Sequence, residues 1–210
     1  MSEPKNVARE LHEVMPGLFH YQIQDDRINH ISDGFAVVEG GRAVLIDPLP
    51  LDDAALERLG TIEAIVIASP SHQRSAWRYR KETGAKVHAP AGAQGLDEKP
   101  DVTFKAGDRL PGGLKAVHAP GPMSTHFALH LDRGPGAVLC PDLLMNEPQG
   151  IVFLSDKYME EPAKGPESAR KLLELKFEVL GFGHGAPITK GGRKALENFL
   201  KARPGQEKKH

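Results

Sequence analysis

Four loops collect the residues whose types could do chemistry. They are Ala68-Ser69-Pro70-Ser71-His72-Gln73-Arg74-Ser75, His118-Ala119-Pro120-Gly121-Pro122, Leu139-Cys140-Pro141-Asp142 and Gly181-Phe182-Gly183-His184-Gly185-Ala186-Pro187. Each follows a run that reads as a strand, and the sites of α/β proteins gather at strand C-termini. Together they offer the imidazoles of His72 and His184, the carboxylate of Asp142 and the guanidinium of Arg74. Imidazole and carboxylate serve as metal ligands or as proton carriers near neutral pH. A guanidinium is a permanent cation that recognises carboxylates in bidentate fashion. His118, His126, Ser71, Ser75 and Pro122 sit in or beside the same loops and are the candidate lining of a binding cleft. Cys140 has no histidine partner in the sequence pattern, so it reads as a buried, inert thiol.

Positioning these loops requires strands. Leu18 to Ile23 alternates with period two. Phe35 to Glu39 and Arg42 to Asp47 flank Gly40-Gly41 as a hairpin, since glycines accept positive φ. Ala43 to Ile46 is apolar throughout, as in a strand buried on both faces. Further strands are expected at Ile62 to Ala68, Lys86 to Ala89, Val102 to Phe104, Leu114 to His118, His126 to Leu131, Ala137 to Cys140 and Val179 to Phe182. Helices are expected from Asp52 or Asp53 to Leu59, from Ser71 or His72 to Thr83, from Pro166 to Leu175 and from Gly192 to Ala202. On the second of these, Arg74, Arg78 and Lys81 would share one cationic face. The organisation predicted is an N-terminal arm over 1–14, one α/β domain over 15–203 and a solvated tail over 204–210.

Composition narrows the function classes. Lys and Arg number 27 against 28 Asp and Glu, a net charge of −1, which gives no field for nucleic acid or an anionic membrane. The 22 glycines and 17 prolines exceed average usage and predict many tight turns, not a helical bundle. A single cysteine excludes an intramolecular disulfide and a cysteine-built zinc site. No stretch reaches membrane-spanning length and the first ten residues are polar and charged, so a cytoplasmic protein is expected. The expected partner is a small molecule, with self-association into a homo-oligomer left open.

The order of segments resembles the metallo-β-lactamase superfamily, which includes hydroxyacylglutathione hydrolases, lactonases and related metallo-hydrolases. The likeness runs from Gly17 to about Ala202 and rests on Ala43-Val44-Leu45-Ile46-Asp47, Pro120-Gly121, Pro141-Asp142 and Gly183-His184-Gly185 in the family's order. It implies a four-layer αββα sandwich of two mixed sheets with helices on the outer faces, and an Asp47 that braces the site loop. The family's Thr-His-x-His-x-Asp-His loop falls on Ser69 to Ser75. There the second histidine is kept as His72, while the first becomes Pro70, the aspartate Arg74 and the last histidine Ser75. A later Pro-Gly-His histidine becomes Pro122, the bridging aspartate survives as Asp142 and the final histidine as His184.

Proline and serine do not replace imidazole, and a guanidinium repels a dication, so a binuclear centre is not expected. Three readings follow. In the first, the chain is a catalytically impaired homologue that binds a small molecule, and Arg74 pairs with Asp142 at hydrogen-bond distance, neutralising a carboxylate left without its metal. In the second, His72, Asp142 and His184 hold one zinc, iron or manganese ion for ester, thioester or lactone hydrolysis. In the third, the same cluster with Arg74 does acid–base chemistry without metal.

Overall fold

The Gly40-Gly41 pair turns the chain with φ of 57° and 75°, joining β3 (His30–Glu39) to β4 (Arg42–Ile46) in antiparallel register, Glu39 opposite Arg42. The same meander includes β1 (His12–Met15) and β2 (Leu18–Asp25). Beyond β4 the sheet continues in parallel through β5 (Thr61–Val66), β6 (Lys86–Pro90) and β7 (Val102–Phe104), giving one seven-stranded mixed sheet in sequence order. This computed structural model describes residues 3–202; the tail expected over 204–210 lies outside the described residues.

A second sheet has four strands, β8 (Leu114–His118), β9 (Phe127–Leu131), β10 (Ala137–Cys140) and β13 (Val179–Phe182), ordered β13-β10-β9-β8. β10 and β13 run parallel and the other pairs antiparallel. A separate hairpin, β11 (Leu144–Glu147) with β12 (Gly150–Phe153), stands beside it.

Three apolar clusters define the layers. The central one draws Leu18, Phe35, Val37, Val44, Ile46 and Val66 from the large sheet onto Leu114, Leu129, Leu131, Leu139 and Val179 of the small one. The opposite face of the large sheet packs Ile23, Leu45 and Ile65 on α1 (Asp53–Leu59) and α2 (Ala76–Thr83). The outer face of the small sheet packs Val138, Cys140 and Leu180 on α3 (Gly165–Leu172) and α4 (Gly192–Ala202). Sheets buried on both faces need helices on both outer sides, and the αββα sandwich is that solution.

Several elements differ from expectation. The N-terminal segment is not an outlying arm: Ala8 and Leu11 are buried, Ala8 bridges Leu51, and residues 12–15 already pair in the sheet. The second helix begins at Ala76. Ahead of it lies only a 3₁₀ turn, Pro70–His72, because Arg74 adopts φ of 36°, outside the helical region. Arg74 therefore does not share a helix face with Arg78, which pairs with Glu3 and Glu82. The third helix runs from Gly165 to Leu172, and the β11–β12 hairpin has no counterpart in the sequence reading.

Candidate metal centre

The four loops, which follow β5, β8, β10 and β13, meet beside Asp47 at the end of β4. Asp47, directly after β4, sits at φ of 46°, a conformation aspartate tolerates better than most residues. Its Oδ1 accepts the Ala68 N–H at 2.7 Å, which ties the end of β5 to the end of β4 and braces the site loop. Its Oδ2 faces His72 Nδ1 at 3.4 Å. The other nitrogen of His72, Nε2, lies 2.8 Å from Asp142 Oδ1. From the far side, His184 presents Nε2 at 3.6 Å from the same oxygen. One donor atom from each of His72, Asp142 and His184 falls within 4.8 Å of the others.

Each donor is aimed by a further contact. His184 Nδ1 donates to the Ile31 carbonyl at 2.7 Å, which leaves Nε2 facing the cluster. The Asp142 backbone N–H donates to His126 Nε2 at 3.1 Å, and His126 Nδ1 donates to the Ala119 carbonyl at 2.7 Å. Burial pushes His126 down to about 4, consistent with a neutral ring between those partners. Asp142 Oδ2 accepts from Ser71 Oγ at 2.6 Å, and Ser69 Oγ adds a longer contact at 3.4 Å. Burial would raise the Asp142 carboxyl, but His72 and His184 outweigh it and hold the group well below the ordinary carboxylate range. For His72, burial and Arg74 act downward, yet the carboxylates of Asp142 and Asp47 prevail and raise it.

Glycine makes the approach of these loops feasible. A Cβ on Gly183 would stand 2.5 Å from His72 Cε1, and one on Gly185 would strike the Asn146 carbonyl oxygen. Asp33 of β3, which the sequence reading does not single out, clamps the same loop. Its N–H donates to the Gly183 carbonyl at 2.9 Å and its Oδ2 accepts from Gly185 N–H at 2.7 Å, so both flanks of His184 are held. Its Oδ1 contacts His20 Nε2 at 2.5 Å. The available signal is an aspartate in mid-strand, where a buried carboxylate needs partners.

The expected Arg74–Asp142 pair does not form. Arg74 Nη1 donates to the carbonyls of Asp33 and Asp47 at 2.7 and 3.1 Å, and Nη2 lies 3.2 Å from His72 Nε2 and 3.5 Å from the Gly183 carbonyl. Main-chain carbonyls from three separate segments hold the guanidinium, while Asp142 is satisfied by hydroxyls and imidazoles. Above the cluster opens a cavity of about 660 Å³ lined by Ser71, His72, Arg74, Pro122, Asp142 and His184, among others. Three candidate lining residues stand away from it. Ser75 is buried beneath the loop, exposed His118 contacts the Ser124 carbonyl through Nε2, and His126 lies behind Asp142. Cys140 is fully buried and pushed up to about 12 by burial, so it is no nucleophile.

The αββα sandwich thus carries a histidine–carboxylate cluster at its converging strand ends. The sequence profile of the metallo-beta-lactamase superfamily matches residues 9–202, and the chain belongs to that superfamily. Among solved structures, it is similar to the DIM-1 metallo-beta-lactamase (TM-score 0.71, 14% identity, 92% of this chain and 99% of that one). It is likewise similar to a metallo-beta-lactamase from Erythrobacter litoralis (TM-score 0.69, 14% identity, 91% and 90%). A metallo-beta-lactamase family protein from Thermus thermophilus, TTHA1429, aligns at TM-score 0.69 and 16% identity over 90% and 80%. At these identities the likeness is one of fold. No curated protein matches the sequence. No helix among the described residues is long and apolar enough to cross a membrane.

Members of the superfamily commonly bind metal ions. The donor set here fits one ion. Both imidazoles have Nδ1 directed at an acceptor and Nε2 directed inward, the arrangement that orients metal-ligating histidines. Pro70, Ser75 and Pro122 carry neither imidazole nor carboxylate, and Arg74 is a buried cation beside His72. At about 5 Å and an effective dielectric of about 20, a guanidinium and a dication repel by about 7 kcal/mol before neighbouring carboxylates offset it.

Proposed function

We propose that this chain is a hydrolase that holds one divalent transition ion, zinc, iron or manganese, on His72, Asp142 and His184 and cleaves a small-molecule ester, thioester or lactone. The observation that carries the reading is the convergence of those three donors within 4.8 Å, each aimed by a partner of its own. When bound, such an ion supplies Lewis acidity, which lowers the pKa of water and polarises a carbonyl. The chain's own residues set the rest. Asp47 and the Ile31 carbonyl fix the two imidazole tautomers, and Ser71 occupies Oδ2 of Asp142 so that Oδ1 is the oxygen presented to the cluster. Arg74 lines the same cavity with a permanent charge suited to the anionic carboxylate product. In the net reaction, water adds across the acyl C–O or C–S bond; the acid leaves with the new oxygen and the alcohol or thiol takes the proton.

The test is elemental analysis of the untagged protein after growth with each metal, together with an ester, thioester and lactone screen. One ion per chain that disappears in His184→Ala, with hydrolysis that follows the ion, supports the reading. No ion under supplementation and no hydrolysis ends it. A second reading, a catalytically impaired homologue that binds a small molecule without turnover, is favoured by one contact. Arg74 Nη2 stands 3.2 Å from His72 Nε2, so a cation already neighbours the nitrogen a metal would need. Ligand binding with neither metal nor turnover would select it. In both readings we place the protein in the cytoplasm, supported by its single, buried, unpaired cysteine.

A further inference from the structure

The cavity above the cluster keeps His72, Arg74 and Asp142 buried at its base, while its exposed rim carries the apolar Ile28 and Tyr158 beside His30 and Glu160. Ile28 and Tyr158 are 49% and 65% exposed, and they are two of only four large apolar side chains exposed among the described residues. Met123, Met145 and Leu154 line the wall between and are half-buried. These five come from three segments: the β2–β3 turn, the loop after β8, and the β11–β12 hairpin with the loop that follows it. Apolar surface gathered from separate segments around one opening marks a binding site, and methionine thioethers adapt to flexible ligands. The charges at the rim are engaged with the protein. Arg27 is held bidentate by Asp25 at 2.9 and 2.6 Å, and Glu160 accepts the Ser124 N–H at 2.8 Å.

We infer that the substrate is an ester or thioester whose acyl portion is an extended apolar chain, seated against Ile28, Met123, Met145, Leu154 and Tyr158 with its carbonyl at the His72–Asp142–His184 cluster. This rests on the hydrolytic reading above. A volume of about 660 Å³ is in the range of pockets for small-molecule ligands. A substrate with a charged or phosphorylated acyl portion would turn its polar groups onto methionine and leucine and forfeit hydration without compensation.

The experiment pairs turnover with binding. Zinc-loaded protein is assayed on nitrophenyl esters from acetate to decanoate, and binding of the free saturated acids from butyrate to decanoate is measured by calorimetry. Both kcat/KM and affinity are expected to climb about two- to fourfold per added methylene until the cavity is filled, at one ligand per chain. Tyr158→Ser and Met145→Ser should flatten both slopes. Binding that rises with chain length without any hydrolysis supports the cavity assignment and overturns the hydrolytic reading. Hydrolysis of acetate with no chain-length dependence, or slopes unchanged in both variants, overturns the cavity assignment and leaves the hydrolytic reading standing.

Discussion

Asp47→Asn is the sharpest probe of the centre, because it alters one hydrogen-bonding group and little else. Asparagine tolerates the positive φ of 46° at this position, and its amide oxygen can keep the Ala68 N–H accepted at 2.7 Å. What changes is the atom facing His72 Nδ1 across 3.4 Å, which becomes an NH₂ donor in place of a carboxylate oxygen. A neutral imidazole meeting a donor at Nδ1 carries its proton on Nε2. Nε2 is the nitrogen that lies 2.8 Å from Asp142 Oδ1, so the lone pair leaves the cluster. Restoring it requires the other tautomer, with two N–H groups opposed. Loss of such an orienting partner costs about 10- to 100-fold in metal affinity, or about 1.4 to 2.7 kcal/mol.

The assay is zinc titration against a chelator of known affinity, with a melting curve to establish that the variant folds. His184 is a control, since its Nδ1 is held by the Ile31 carbonyl and is untouched by the change. Asp47→Ala should be worse in a different way, since it also abandons the buried Ala68 N–H at a cost of about 1 to 3 kcal/mol in stability. A folded Asp47→Asn protein that binds zinc within twofold of the parent would refute the assignment of His72 Nε2 as a ligand.

Three further outcomes follow from the same geometry. Gly183→Ala drives a methyl to 2.5 Å from His72 Cε1 and 3.0 Å from the Pro141 carbonyl oxygen, so urea unfolding should show a loss of about 1 to 3 kcal/mol alongside weaker zinc binding. Asp33→Ala strands the Gly185 N–H and the buried His20 together, and the same measurement should show a loss of about 3 kcal/mol. Asp25 is lowered to about 2: burial opposes the shift, but hydrogen bonds and charge from Arg27 dominate. A carboxylate lowered on folding stabilises above its unfolded pKa and loses that contribution as pH falls through the folded value. The parent should therefore lose about 1 to 2 kcal/mol more than Asp25→Asn between pH 5 and pH 2, and parallel pH curves for the two proteins would contradict this.

What the sequence reveals here is whatever a short stretch decides for itself. Two adjacent glycines decide a turn, so the β3–β4 hairpin and its register are legible from Gly40-Gly41 and the apolar Ala43 to Ile46. Loops after apolar runs are legible too, and three of their residues, His72, Asp142 and His184, do meet. The β11–β12 hairpin is not, because nearly all its side chains are half-buried and carry no period-two contrast. Arg74 is the instructive case. Charge complementarity favours Asp142, and that argument holds for two groups free to approach. The direction of the guanidinium is set instead by a φ of 36° at its own Cα and by carbonyls of Asp33, Asp47 and Gly183, which lie 41, 27 and 109 residues away in the chain. No local pattern encodes those acceptors, since a carbonyl is common to every residue and only tertiary structure decides which ones face the guanidinium. The consequence is chemical as well as structural. With Arg74 engaged by the main chain, Asp142 keeps an oxygen directed at two imidazoles, and a donor set that reads as residual in sequence is assembled in space.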